Sequence, residues 1–181
     1  GLNEYQAVIV YKPANMVYLT GFTGEGLALV GAKVKAIVTD SRYTEQAEQQ
    51  CFGYEACMIE KGRTHEDLGG ELCAREHIDT LYYEDDTLTV RTFKQAQESV
   101  KGVEWKPLSG DIERLREVKD EGELALIEQA CKITGEAFER VLPEIKEGMT
   151  EREIALKLDF DMYAHGSQGL AFSTIVAAGA H

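Results

Sequence analysis

Two helix-start signals, Asp120 with Glu123 and Thr150 with Glu153, constrain the chain more than any other feature. In each, a side-chain oxygen at the start and a carboxylate three residues on can satisfy backbone N–H groups that a helix leaves open. After Asp120, apolar residues recur at Leu126, Ala130, Ile133, Ala137 and Val141, with Ile127, Cys131, Phe138 and Leu142 alongside. Steps of three and four place them on one helical face. This reading makes Cys131 a small buried apolar residue. Pro143 ends the regular helix because it has no N–H, and Gly148 suits a left-handed stop. The second helix runs from Thr150 to about Ala164, with Ile154, Leu158 and Met162 facing inward. Phe172 to Ala178 is rich in β-branched residues and predicts a strand.

The first hundred residues follow a different rhythm. Ala7-Val8-Ile9-Val10-Tyr11 is a continuous apolar run, the mark of a strand buried on both faces. Lys12-Pro13-Ala14-Asn15 breaks it, and Met16 to Phe22 leads into a turn at Gly24 and Gly26. Leu27–Val30 and Ala36–Thr39 predict a hairpin, with Asp40 capping a helix from about Ser41. Further strands are predicted over 54–59, 78–83 and 103–108, with helices over 65–76 and 90–100. Alternating strands and helices make the class α/β. Ser109-Gly110-Asp111 is the predicted boundary, giving domains 1–110 and 111–181.

The formal charge of −13 argues against nucleic acid, whose phosphates would be repelled. No apolar run is long enough to span a membrane. The four cysteines show no metal-site spacing and suit a reducing compartment, so a cytoplasmic location is expected. The chain opens on Gly1 rather than Met and stops at His181 directly after a predicted strand, so both ends read as cut.

Three stretches resemble, in order and spacing, the opening of the catalytic domain of Xaa-Pro peptidases: Arg116–Leu124, Glu147–Ala155 and Gly169–Gly179. These are the prolidases and aminopeptidases P of the creatinase-like, pita-bread metallopeptidases. Tyr18-Leu19-Thr20-Gly21-Phe22 and Thr39 to Ala47 resemble signatures of the creatinase/prolidase N-terminal domain. The resemblance implies a three-layer N-terminal domain with a mixed sheet, then the first two helices and first strand of a pita-bread α+β domain. It also implies hydrolysis of peptides with proline at the second position, two divalent cations (manganese before cobalt, zinc or iron), and a homodimer through the N-terminal domain. The family's two Asp, one His and two Glu ligands follow the equivalent of Gly179, so the resemblance places no catalytic residue or metal ligand in this chain. The chain alone would then be inactive. Two alternatives remain: a non-catalytic oligomerisation or binding module, and a metal-independent enzyme resembling creatine amidinohydrolase.

Four residues are candidates for substrate contact. Arg42 follows a strand end and could grip a carboxylate, or pair within its domain with Asp40 or Glu45. Tyr18 is a substrate contact or a core aromatic, and Phe172 lines the substrate pocket or the strand core. His181 falls before the position of the family's substrate-side His. His65 and His77 flank a predicted surface helix and read as solvated, and Glu84-Asp85-Asp86 reads as a solvated acidic turn. Asp159 and Asp161, two apart on a helix, point to different sides and make a poor metal pair.

Overall fold

The computed structural model describes residues 1–180. They form two compact units, Gly1–Val118 and a second from Lys119 onward.

The first unit is built on β1 (Gln6–Val10), the apolar run that demands cover on both faces. The other strands are β2 (Leu27–Gly31), β3 (Lys35–Thr39), β4 (Glu55–Met58), β5 (Thr80–Tyr83) and β6 (Glu104–Pro107). Their order in the sheet is β4-β3-β2-β1-β5-β6. β2 is antiparallel to both β1 and β3, whereas β1–β5, β3–β4 and β5–β6 are parallel. Five strands therefore share a direction and β2 alone is reversed.

Side chains alternate across the sheet and sort the core into two layers. Ala7, Ile9, Leu27, Leu29, Ala36 and Val38 face one side, with Leu72 and Cys73 from α3 (His65–Arg75) and Val100 at the end of α4 (Val90–Ser99). Val8, Val10, Ala28 and Ile37 face the other. There they meet Met16 from α1 (Pro13–Thr20), Ala47 from α2 (Thr44–Gln50) and Ile112 from α5 (Asp111–Glu117). The three-layer, mixed-sheet reading holds. Each fully buried Ile or Leu contributes about 2 kcal/mol by leaving water.

Lys12–Asn15 ends the apolar run as expected: β1 stops at Val10 and Pro13 opens α1, because a first-turn proline lacks only an N–H that no helical carbonyl would have accepted. Two expectations for this unit are corrected. Asp40 does not cap a helix at Ser41. Its carboxylate accepts from the Arg42 N–H (2.9 Å) and guanidinium instead, and α2 starts at Thr44. The Ser109–Asp111 segment lies inside the unit, since Gly110 caps α5 and Ile112 of that helix is buried.

The second unit is two helices, α6 (Glu121–Val141) and α7 (Glu151–Ala164), joined through a short 3-10 turn, Leu142–Glu144. Both capping boxes form. Glu123 N donates to Asp120 Oδ1 at 2.8 Å and Glu153 N to Thr150 Oγ1 at 3.2 Å, and each glutamate reaches back to the cap N–H. Gly148 takes the left-handed conformation at φ 89. Arg140 grips Asp161 through Nε (2.9 Å) and Nη2 (2.7 Å).

Two expectations fail here. Cys131 is exposed rather than buried, because the apolar stripe of α6 is longer than α7 covers: Ala137 and Val141 are buried while Leu126 is 69% exposed. Phe172–Ala178 is not a strand. A strand needs a ladder partner, and no strand forms among the described residues of this unit. The segment is held by side chains of α7: Thr174 Oγ1 donates to the Asp159 carboxylate, and Ala178 N to Glu151 Oε1 at 2.8 Å.

Thr150→Ala removes the acceptor for Glu153 N and is expected to destabilise α7 by about 1 kcal/mol. Chemical denaturation followed by helical circular dichroism, compared with the parent, checks this; coincident curves would show that the cap contributes nothing.

Candidate functional site

The strands that share a direction end along one edge of the first unit, and a buried polar cluster sits there. Glu84 follows β5 directly and is 2% exposed. Its Oε2 accepts from Tyr11 N (2.7 Å) and Lys12 N (2.9 Å), just past the end of β1. Its Oε1 accepts from Asn15 Nδ2 (2.7 Å). Asn15, fully buried on α1, also donates to Glu113 Oε1 (2.7 Å), and its Oδ1 accepts from Arg116 Nη1 (2.9 Å). Lys12 Nζ bridges Asp86 (2.7 Å) and Glu113 (2.8 Å). Asp85 Oδ1 takes Ser109 N at 2.8 Å. Hydrogen bonds from Lys12 hold the Asp86 and Glu113 carboxyls below the usual carboxylate range. Glu84 is therefore a buried tie rather than part of a solvated turn, while Asp85 and Asp86 beside it are exposed as expected. Each member of the cluster spends its hydrogen bonds on another, so it orders α1 and α5 rather than presenting a reactive group.

The expected contact residues are scattered. Arg42 is ion-paired within its own unit, to Asp40 (2.8 Å) and Glu25 (2.9 Å), and lies over the Tyr43 ring at 5.0 Å. Its partner is thus Asp40, one of the two expected, with Glu25 in place of Glu45. Tyr18 is partly exposed, and its hydroxyl donates to Leu115 O at 3.4 Å. His181 lies outside the described residues. Burial pushes the Cys73 thiol up to about 12 and Cys57 to about 11, so neither is a ready nucleophile. His77 is exposed, but the Nε2 of His65 is buried without a hydrogen-bond partner, which departs from the solvated reading.

Phe172 belongs to the second unit, where it is 74% exposed and lines an open apolar groove of about 650 Å³. Leu126, Ile133 and Phe138 of α6 and Leu158 and Met162 of α7 form the opposite walls. Asp159 and Asp161 point to different partners, Thr174 and Arg140, as their spacing requires. His165 Nδ1 lies 3.2 Å from Asp161.

The comparisons with known proteins bear on this arrangement. Residues 3–118 match the model of the creatinase/prolidase N-terminal domain. The chain belongs to that family. Residues 125–181 match Metallopeptidase family M24. A Bacillus subtilis (strain 168) protein named Uncharacterized peptidase YqhT is 33% identical over 95% of this chain and 48% of its own length. The Xaa-Pro dipeptidase of Pyrococcus furiosus is 28% identical over 98% of this chain and 49% of its own. Among solved structures, the X-Pro aminopeptidase of Thermotoga maritima MSB8 superposes with a TM-score of 0.87 at 30% identity, over 93% of this chain and 49% of that one. The chain thus spans about half the length of the curated relatives it matches.

The metallopeptidase match implies divalent metal chemistry, and the residues present do not fit a two-metal site. Among the described residues, no three of His, Cys, Asp and Glu converge on one point. The acidic groups of α7 nearest the groove are engaged by Arg140, Thr174 and Ala178 N. No catalytic step is assigned to them. The creatinase-type unit instead shows a feature that sequence reasoning missed, the Asn15–Glu84 pair. The available signal was a carboxylate directly after a strand end, where it can meet the N–H groups opening a helix.

Glu84→Ala strands two backbone N–H groups and the Asn15 amide, and is expected to cost about 3 kcal/mol in urea unfolding. A loss within error of zero would show the tie to be dispensable. Because Asp86 and Glu113 titrate lower folded than unfolded, their contribution is complete above their ordinary values of 3.8 and 4.5 and is lost as pH falls below them. Lys12→Met removes the cause of both shifts, so unfolding curves at pH 7 and pH 3 should converge more in this variant than in the parent.

Proposed function

We propose that the chain is part of a metal-dependent, proline-specific peptidase that hydrolyses Xaa-Pro bonds of dipeptides or peptide N-termini. The observation that carries this reading is the succession of matches, a creatinase/prolidase N-terminal domain over 3–118 followed by the metallopeptidase match over 125–181. Relatives named Xaa-Pro dipeptidase align with nearly the whole chain and continue to about twice its length. On this reading the first unit is the N-terminal module and the second begins the catalytic domain. The ligands for two cations, manganese foremost, lie outside residues 1–181. Phe172, on the rim of an apolar groove, is the residue of this chain best placed to face a proline-containing substrate. The protein acts as a homodimer through its N-terminal unit. A cytoplasmic location is supported by Cys51, Cys57 and Cys73, all buried as free thiols. No helix among the described residues is long and apolar enough to cross a membrane.

The test uses the chain purified with its mass verified to end at His181, and a longer chain carrying the rest of the metallopeptidase region. Each is given manganese or cobalt and assayed on an Xaa-Pro dipeptide and a longer Xaa-Pro peptide. The short chain is expected to give no turnover above a metal-only blank and the long one to turn over at least one substrate. Turnover by the short chain would overturn the placement of the ligands. A long chain that cleaves neither substrate would overturn the proline specificity.

A further inference from the structure

α5 is entered through two consecutive residues with left-handed backbone, Ser109 at φ 51 and Gly110 at φ 81. Glycine takes that conformation at no steric cost, but a serine held there is strained. Asp85 keeps Ser109 in place, its Oδ1 accepting from the Ser109 N–H at 2.8 Å. Leu108, one residue earlier, still belongs to the sheet and donates to Tyr83 O at 2.9 Å. The apolar grip of α5 is small: Ile112 is its buried residue, whereas Leu115 is 59% and Val118 81% exposed. The polar grip converges on one oxygen, since Glu113 Oε1 accepts from both Lys12 Nζ (2.8 Å) and Asn15 Nδ2 (2.7 Å).

We propose that α5 is a latch: it swings out as one piece at Ser109–Gly110 while the sheet stays folded, and Glu113 is the pin that sets how often it opens. Elements that open separately from a core are those with few buried apolar contacts. Opening relieves the strain at Ser109, and the bonds to Glu113 and the burial of Ile112 oppose it. Lys12 faces Glu113 from the start of α1, beside Asn15. Glu84 and Asp86, in the turn after β5, hold Asn15 and Lys12 in turn. Arg116 of α5 meets Asn15 Oδ1, Arg114 of α5 pairs with Asp111, and Tyr18 of α1 donates to Leu115 O. Protonating Glu113 cancels the charge opposite Lys12. The latch is therefore closed above that carboxyl's ordinary value of 4.5 and loosens as pH falls below it. An open latch turns residues 109–118 into slack chain ahead of the second unit, up to roughly 35 Å of it.

The experiment is deuterium exchange of the full chain, corrected for intrinsic rates at each pH and read in α5 and in β1 and β5. In the parent at pH 7 the α5 amides, among them Arg114 N on Gly110 O, are expected to exchange about tenfold or more faster than those of β1 and β5. Glu113→Gln keeps the size and an acceptor for Asn15 but not the charge. It should speed exchange in α5 by about another tenfold and leave β1 and β5 unmoved. Asp85→Ala, which frees the hinge, should act in the same direction. From pH 7 to pH 4 the opening of α5 should rise in the parent and rise less in Glu113→Gln. Amides of α5 as slow as those of β1 and β5 would show that α5 opens only with the whole unit, and would overturn the latch. Fast exchange in α5 unmoved by Glu113→Gln would overturn the pin. A loss of protection that α5 and both strands share equally in Glu113→Gln would overturn the separate opening.

Discussion

The first unit depends on one buried carboxylate. Glu84 receives N–H groups from the end of β1 and the amide of Asn15 on α1, while itself ending β5. A carboxylate taken out of water is costly unless donors surround it. Here three donors do so, two of them belonging to backbone that enters α1, where the helix favours negative charge. The requirement runs both ways. Those N–H groups have no strand partner past β1, so without Glu84 they would lie unmet beside the core. Through Asn15 the same contact reaches Glu113 and Arg116, and so fixes α5 on the same layer as α1.

The second unit is held differently. Its helices are specified locally by two reciprocal caps, and they meet through one bidentate arginine pair and a few buried side chains such as Ala137 and Val141. Much of its apolar surface, including Phe160, Phe172 and Ile175, faces outward. It is a unit of well-defined elements and little core, whereas the first has short elements and a core on both faces of a sheet.

This difference explains what was legible. β1 could be read because four consecutive apolar residues admit one environment, and α6 and α7 because each start and stop has its own residue chemistry. What failed depended on distant partners. Asn15 and Glu84 look like surface residues until the fold sets β1 beside β5. Cys131 carries the right period for burial, but periodicity states which residues share a face, not whether anything covers it. Phe172–Ala178 has strand composition without a ladder, and composition cannot supply the second strand. Arg42 was legible as an ion-pair former, yet Glu25 comes to it only through the reversal of β2.

The position of β1 in the sheet has a consequence for how the chain is made. β1 can pair with β2 soon after both emerge, but its other neighbour is β5, and Tyr11 and Glu84 stand 73 residues apart in sequence. At usual synthesis rates that interval is roughly 4–15 s. For that time one edge of a central, apolar strand of the sheet has no partner, and the carboxylate that closes it does not yet exist. The nascent chain is thus most exposed to misassociation early, at a strand that ends up in the middle of the sheet.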